Sequence, residues 1–186
     1  MKNLLNAISK LPYVDRSQGI PRICRQNLAE HSLNVTYYSM IMADFYPEVN
    51  TEAVMKIAIL HDIEETQTGD IPHPIKQNYN HKADIEDIAI QVAEDIFESK
   101  EWSQGQYYLE LWKRSHNIDK YKLTTDDFAL KLVGAADILD FFLWISKEIR
   151  FSSTELESTY RYTLDIISDL RKEIYPLDYI LKALEL

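Results

Sequence analysis

The sequence predicts an all-α fold, and three observations support this prediction. Apolar residues recur at three- and four-residue intervals through most of the chain, which is the period of an amphipathic helix. No segment alternates apolar and polar residues over a useful strand length, and the 186 residues include only four glycines and six prolines. A hydrophobic fraction of 46% is enough for a packed core. We expect one domain over residues 1–186, with a core over about 5–150 and C-terminal helices over 154–186 packed on it.

The first part of the chain should contain two helices separated by an irregular segment. Leucines and an isoleucine at helical spacing predict a helix over residues 2–11, and Pro12 then stops it. The segment from there to Gln26 is rich in helix breakers and also contains three arginines. Asn27 and Glu30 have the spacing of a reciprocal helix cap, so a second helix should begin there and continue to about residue 46.

The third helix carries the polar cluster that the rest of the chain is expected to support. Its apolar positions predict a helix from Thr51 to about Glu65, ending in the run His61-Asp62-Ile63-Glu64-Glu65. On such a helix Glu65 shares a face with His61 and Asp62. Burying unpaired charges is costly, so a shared cation is one explanation of the cluster. The alternative is a hydrogen-bonded core histidine beside acids that are solvated at a helix end.

A rigid polar loop should follow this helix. Residues 69–76 contain two prolines that flank a single residue, which excludes a regular helix there. Loops of this kind, directly after a cluster of ionisable residues, are well placed to line a pocket. Asp70 and Lys76 are the candidates for substrate contact in this loop.

The second half of the chain predicts further helices. Apolar positions indicate helices over about 83–99 and around Tyr107–Trp112, the latter ending in the basic patch Lys113–His116. The segment 126–150 is apolar around much of its circumference and should be a central buried helix. Two shorter helices should follow, one from Thr154 to about Lys172 and one that begins at Pro176.

The composition limits the partners of the protein. Thirty acidic and 20 basic residues give a formal charge of −10, which disfavours a surface for duplex nucleic acid. A small anionic substrate would then need a local basic pocket or a metal ion. The single cysteine, Cys24, cannot form an intramolecular disulfide, and no apolar run is long enough to span a bilayer. We expect a cytoplasmic protein without membrane partners.

Four residues on three predicted helices form a possible metal-ligand set. His31, His61, Asp62 and Asp137 supply two imidazoles and two carboxylates, and Asp137 follows three small residues that would let a ligand approach closely. This set suits one divalent ion, and the sequence does not select among zinc, cobalt, manganese, iron and magnesium. An ion with open positions would activate water as a nucleophile at neutral pH.

The same residues carry a resemblance to a known family. The order H…HDxxE…D, filled by His31, His61-Asp62, Glu65 and Asp137, resembles the HD superfamily of metal-dependent phosphohydrolases. The segments 11–32 and 61–76 further resemble the small HD-domain 5′-deoxynucleotidases (YfbR-like) and the phage deoxyadenosine triphosphate hydrolases. The resemblance implies an HD-domain helical bundle and a dimer or larger homo-oligomer.

The resemblance also implies roles for individual residues. His31, His61, Asp62 and Asp137 would be the metal ligands. Glu65 matches the catalytic acid or base, Arg16 the arginine that grips the 5′-phosphate, and Asp70 a carboxylate near the sugar, which we also count as catalytic. The relatives often have tryptophan after this arginine, whereas this chain has Ser17; Ile20 is then a candidate for contact with a purine base.

The function expected from these observations is removal of phosphate from 2′-deoxynucleotides, with Arg16 and Lys76 stabilising charge on the phosphoryl oxygens. Lys113 and Arg114 add positive charge that a triphosphate would use, and this favours hydrolysis of deoxyadenosine triphosphate. A strict 5′-deoxynucleotidase acting on monophosphates is one alternative. A non-catalytic nucleotide-sensing module with a structural metal is the other, although it would not need Glu65 and Asp70.

Overall fold

The structure of the protein, a computed structural model, describes residues 1–72, 82–99, 102–116, 128–151 and 154–185. Within these ranges there is no β-strand, only an isolated antiparallel bridge between Asp15 and Asn27. The predicted all-α class is therefore confirmed. The α-helices are α1 (Lys2–Lys10), α2 (Leu28–Ala43), α3 (Thr51–Leu60), α4 (Glu65–Thr68), α5 (Lys82–Phe97), α6 (Gly105–Ser115), α7 (Phe128–Arg150), α8 (Glu157–Glu173) and α9 (Pro176–Ala183).

The start of α2 has the cap that the sequence predicts. The side-chain Oδ1 of Asn27 accepts the backbone N–H of Glu30 at 3.0 Å, and the Oε2 of Glu30 accepts the backbone N–H of Asn27 at 3.2 Å. This reciprocal pair satisfies two of the amides that a helix leaves without intrahelical partners. The helix ends at Ala43, about three residues before the predicted end, because Phe45 donates to Met42 in a tighter three-residue turn.

The prediction of one continuous helix from Thr51 to Glu65 is wrong. α3 ends at Leu60, whose carbonyl oxygen accepts the backbone N–H of Ile63 at 3.1 Å. The backbone N–H of Glu65 likewise donates to the Asp62 carbonyl at 3.1 Å. These three-residue bonds replace the four-residue ladder of an α-helix, so His61 and Asp62 lie in a tight turn. The helical ladder resumes only in the short α4, and Gly69 follows it with φ +74°.

The chain divides into two compact units. The first unit comprises Met1–Ile20, Arg25–Ser32 and Ile59–Thr124. In it, α5 packs against α6 and α1, and α1 and α5 each contact α4. The largest fully buried side chains of this unit are those of Leu28, Ile63, Ile96, Phe97, Leu111 and Trp112.

The second unit comprises Pro21–Cys24, Leu33–Ala58 and Thr125–Leu186. Its main packing joins α7 to α8, with α9 against α8. The predicted central buried helix over 126–150 corresponds to α7, whose buried residues include Leu132, Leu139 and Ile145. The expectation of a single domain stays a prediction. No helix in the described part of the chain combines the length and apolarity that crossing a bilayer requires.

Candidate active site

Three of the predicted metal ligands meet in the first unit. His31 lies in the first turn of α2, and His61 and Asp62 lie in the tight turn after α3. The Nε2 atoms of the two histidines are 3.1 Å apart, and Asp62 Oδ2 lies 3.4 Å from His31 Nε2 and 3.2 Å from His61 Nε2. Two imidazole nitrogens and one carboxylate oxygen thus converge on a common point.

This cluster is largely shielded from water. His31 is 0% exposed and His61 is 7% exposed, while the side chain of Asp62 retains 15% exposure. Two Nε2 atoms at 3.1 Å cannot both carry a hydrogen towards each other, so at least one presents a lone pair. Such a set of nitrogen and oxygen donors at this spacing fits a divalent metal ion.

The charge of Asp62 is fixed by its neighbours. Burial by itself would raise the pKa of this carboxyl group. His61, His31 and the Arg16 guanidinium outweigh that effect and hold the pKa of Asp62 well below its usual value. The group is therefore ionised at neutral pH, as a metal ligand must be.

Arg16 reaches the cluster from the irregular segment before α2. Its Nη2 lies 4.0 Å from Asp62 Oδ2, and its side chain is 16% exposed. The backbone N–H of Arg16 donates to the Gln26 carbonyl at 2.9 Å, and that of Leu28 donates to the Val14 carbonyl at 2.9 Å. These bonds flank the Asp15–Asn27 bridge and tie the arginine segment to the start of α2.

Asp70 holds the turn that follows Arg16. Its Oδ2 accepts the backbone N–H of Ser17 at 2.5 Å. Ser17 has φ +56°, and Ile20 closes the turn by donating its backbone N–H to the Ser17 carbonyl at 3.3 Å. Asp70 therefore has a structural partner that the sequence did not indicate. Its contact with a sugar, and that of Ile20 with a base, stay predictions.

The remaining candidates have different positions. Glu65 begins α4 in the first unit and is 2% exposed. Asp137 lies half-buried in α7, in the second unit. Lys76 falls outside the described residues. Their roles stay predictions.

The basic patch on α6 differs from a solvent-facing charge cluster. Lys113 is 3% exposed, and its Nζ forms an ion pair with Glu94 Oε1 at 2.7 Å. This pairing weighs against Lys113 as a direct contact for a triphosphate. Arg114 is half-buried beside it, and its contact with substrate stays a prediction.

The structure adds two residues that sequence analysis did not select. Glu64, in the tight turn, is 4% exposed; its Oε2 accepts the indole N–H of Trp112 at 2.7 Å, and its Oε1 lies 3.2 Å from His116 Nε2. Burial lowers the pKa of His116, but the charge of Glu64 and its hydrogen bond outweigh this and raise it. The four-residue spacing of Trp112 and His116 is typical of two residues on one helix face. Their common partner, Glu64, lies 48 positions before Trp112 and 52 positions before His116, so no local spacing pattern indicates it.

The sequence is similar to a family of 5′-deoxynucleotidases. A family profile described as "5′-deoxynucleotidase YfbR-like" matches residues 3–184. A 5′-deoxynucleotidase of Photorhabdus temperata is 32% identical over 88 residues, 45% of this chain and 45% of that protein. The alignment thus spans less than half the length of this relative. A 5′-deoxynucleotidase of Pectobacterium atrosepticum is 27% identical over 157 residues, 80% of this chain and 73% of that protein.

Solved structures share the fold. An HD-domain phosphohydrolase from Listeria innocua superposes with a TM-score of 0.74 at 23% identity, covering 97% of this chain and 85% of that one. The cyanophage S-2L HD phosphohydrolase, solved with dA and one catalytic Zn²⁺ ion, gives a TM-score of 0.67 at 15% identity and covers 96% of each chain. The fold of the protein is therefore that of the HD-domain phosphohydrolases.

Proposed function

Because this chain belongs to the YfbR-like 5′-deoxynucleotidase family, we propose that it is a divalent-metal-dependent phosphohydrolase that removes the 5′-phosphate of 2′-deoxynucleotides. The observation that carries the proposal is the convergence of His31, His61 and Asp62 with the guanidinium of Arg16 beside them. A purely structural histidine pair would not require the positively charged Arg16 guanidinium at its edge.

The metal would be held by His31, His61 and Asp62, whose donor atoms fit a divalent ion of the zinc, cobalt or manganese type. Asp137 is the proposed fourth ligand on the strength of the motif alone, and magnesium remains an alternative metal. When bound, such an ion lowers the pKa of a coordinated water and withdraws charge from a phosphoryl oxygen.

Arg16 would bind the phosphate. A guanidinium offers paired N–H donors that match two phosphoryl oxygens, and it stays charged at any physiological pH. Its Nη2 lies 4.0 Å from Asp62 Oδ2, which places the positive charge at the edge of the histidine cluster. Asp70 would act indirectly by fixing the Ser17 turn, and Lys76 would add a second positive charge to the phosphate.

Glu65 would manage the proton of the reaction. In hydrolysis a bond forms from water oxygen to phosphorus while the bond from phosphorus to the 5′-oxygen breaks. A buried carboxylate can take the proton from the attacking water and return it to the departing 5′-oxygen. Glu65, 2% exposed and three residues after Asp62, is the proposed group.

The number of phosphates on the substrate is the finer question. The family's description as a 5′-deoxynucleotidase favours a monophosphate substrate, and the ion pair of Lys113 with Glu94 removes part of the argument for a triphosphate. Hydrolysis of deoxyadenosine triphosphate is the second candidate, supported by the fold shared with a phage phosphohydrolase that binds dA. Arg114 would contact the outer phosphates of a triphosphate, and Ile20 would contact a purine base.

We further propose that the protein is a homo-oligomer.

Phosphate release from deoxynucleoside mono-, di- and triphosphates and the matching ribonucleotides would test the proposal. The protein is assayed with chelator and then with manganese, cobalt or zinc restored. Metal-dependent release with a preference for deoxynucleotides is expected, and product analysis separates phosphate from triphosphate as the leaving product. If no nucleotide releases phosphate with any metal, the hydrolase proposal fails and nucleotide titration would test the sensing module instead.

A further inference from the structure

Glu148 is a buried acid on α7 that the proposed mechanism does not use. It is 0% exposed, and its carboxylate accepts two backbone N–H groups, that of Ile23 at 2.8 Å through Oε2 and that of Cys24 at 2.5 Å through Oε1. We infer that Glu148 is a positioning residue, which anchors the loop over residues 16–26 and through it the guanidinium of Arg16. The inference rests on the proposed role of Arg16 in binding phosphate.

The chemistry of Glu148 suits the fixing of a loop. Burial of a carboxylate costs free energy unless hydrogen-bond donors replace its hydration. Well-packed apolar side chains often fill buried positions with no loss of stability. An acid at this position instead supplies two acceptor oxygens, and each of them takes one backbone N–H of the loop.

Trp144 holds the same stretch of the loop from one turn earlier on α7. It is 5% exposed, and its indole N–H donates to the backbone carbonyl oxygen of Cys24 at 3.0 Å. The backbone N–H and the backbone carbonyl of Cys24 are thus both bonded to side chains of α7. These two side chains and the loop residues that they bind belong to the second unit.

The anchored residues lie close in sequence to the backbone partner of Arg16. Gln26, two positions after Cys24, accepts the backbone N–H of Arg16 at 2.9 Å through its carbonyl oxygen. The bonds at Cys24 therefore limit the positions open to Gln26, and Gln26 in turn fixes the backbone of Arg16. Without Glu148 this end of the loop would be held less firmly, and small displacements of a positioning group are costly to catalysis.

A double-mutant cycle tests whether Glu148 acts through Arg16. Glu148→Gln keeps the shape of the side chain, but its NH₂ group would face one of the two backbone N–H groups, donor against donor. We expect this change to lower kcat/KM for dAMP by about tenfold, a factor typical of losing one hydrogen bond to a charged acceptor. In an Arg16→Ala background the same change should lower kcat/KM by less than about twofold, because the group that it positions is absent. An equal factor in both backgrounds overturns the inference.

Amide hydrogen exchange measures the anchor itself and needs no turnover. The backbone amides of Ile23 and Cys24 should exchange about tenfold faster in Glu148→Gln than in the wild type, because each now opens without breaking a bond to a buried charge. The amides of α8 should keep their rates. Unchanged exchange at both loop amides overturns the inference, whatever the kinetics show.

Two further variants separate the anchor from general destabilisation of α7. Trp144→Phe keeps an aromatic ring and removes the indole donor, so it should reduce kcat/KM in the same Arg16-dependent way, and it serves if Glu148→Gln does not fold. The matched control is Ser146→Ala, which removes a buried hydroxyl whose bond, to the Phe142 carbonyl, lies within α7. This control should keep the wild-type kcat/KM and the wild-type exchange at Ile23 and Cys24. If it shows the losses expected for Glu148→Gln, the effect belongs to α7 as a whole and the inference is overturned.

These outcomes separate the inference from the proposed function. If the wild type hydrolyses dAMP and the Glu148 change costs the same factor with and without Arg16, the function stands and the positioning role is wrong. If the wild type binds dAMP without hydrolysing it, the cycle is read from the Kd in calorimetric titration. A loss of affinity that depends on Arg16 then upholds the positioning role while the proposed function is wrong. A wild type that neither hydrolyses nor binds dAMP overturns both.

Discussion

The backbone N–H of Ser17 donates to the carboxylate of Asp70 at 2.5 Å, across 53 positions of the chain. This bond joins the turn after Arg16 to the segment that follows α4. Because Arg16 Nη2 lies 4.0 Å from Asp62 Oδ2, the position of the Ser17 turn affects where the Arg16 guanidinium, the proposed phosphate-binding group, lies relative to the histidine cluster.

Replacing Asp70 by alanine should therefore weaken substrate binding. A hydrogen bond to a charged acceptor contributes about 1.5–3 kcal/mol, so KM for the deoxynucleotide should rise by about tenfold or more. The ratio of deoxy- to ribonucleotide turnover should not change if Asp70 acts by anchoring the turn. A loss of that selectivity in steady-state kinetics would instead assign Asp70 to the sugar. Ser17→Gly, which keeps the N–H and suits φ +56°, is the matched control.

Replacing Glu65 by glutamine should abolish most of the turnover and leave metal binding intact. The amide has the same shape but cannot accept the proton of the attacking water, and loss of a general base costs about 10²- to 10⁴-fold in kcat. Measurement of kcat together with bound metal checks this. Equal activity of variant and wild type would exclude Glu65 from proton transfer, and loss of the metal would make it a ligand.

Replacing His31 by asparagine should remove the stabilisation that metal provides. An ion present at about 100 times its Kd stabilises the folded state by about 2.7 kcal/mol, which corresponds to a rise in Tm of about 5–10 °C for a chain of this size. Thermal unfolding with chelator and with added metal should show this rise for the wild type and none for the variant. A variant that keeps the full rise would contradict the ligand assignment of His31.

Replacing Lys113 by methionine should leave catalysis nearly unchanged. The ammonium group is paired with Glu94 at 2.7 Å and buried, so the methionine fills similar space without the charge. We expect KM to change by less than about twofold for both dAMP and dATP, since about 0.4 kcal/mol corresponds to that factor. A selective rise of KM for dATP would restore Lys113 as a contact for the outer phosphates.

The sequence predicted best those features whose residues lie within one helical turn of one another. The cap formed by Asn27 and Glu30 is confirmed because both partners lie within one helical turn. The continuous helix through His61 was wrong because apolar periodicity does not distinguish a four-residue ladder from the three-residue turns that follow Leu60.

The long-range contacts of the site could not be predicted in this way. Glu64 and His116 are 52 positions apart, and Glu94 pairs with Lys113 from a different helix. Such partners depend on how helices pack, and a single sequence contains no periodic pattern that reports it. The motif identified ligand candidates, while the structure supplied their neighbours.

The cap of α2 has a consequence for tolerance to substitution. Asn27 is half-buried and Glu30 is exposed, so by burial alone either position would count as freely variable. Yet the turn they close contains His31, whose backbone N–H donates to the Asn27 carbonyl at 3.1 Å. Helix ends fray readily, and fraying here would withdraw an imidazole from the cluster. A substitution at Asn27 would then appear as an enzyme defect, in addition to the roughly 0.5–2 kcal/mol of stability that loss of the cap costs.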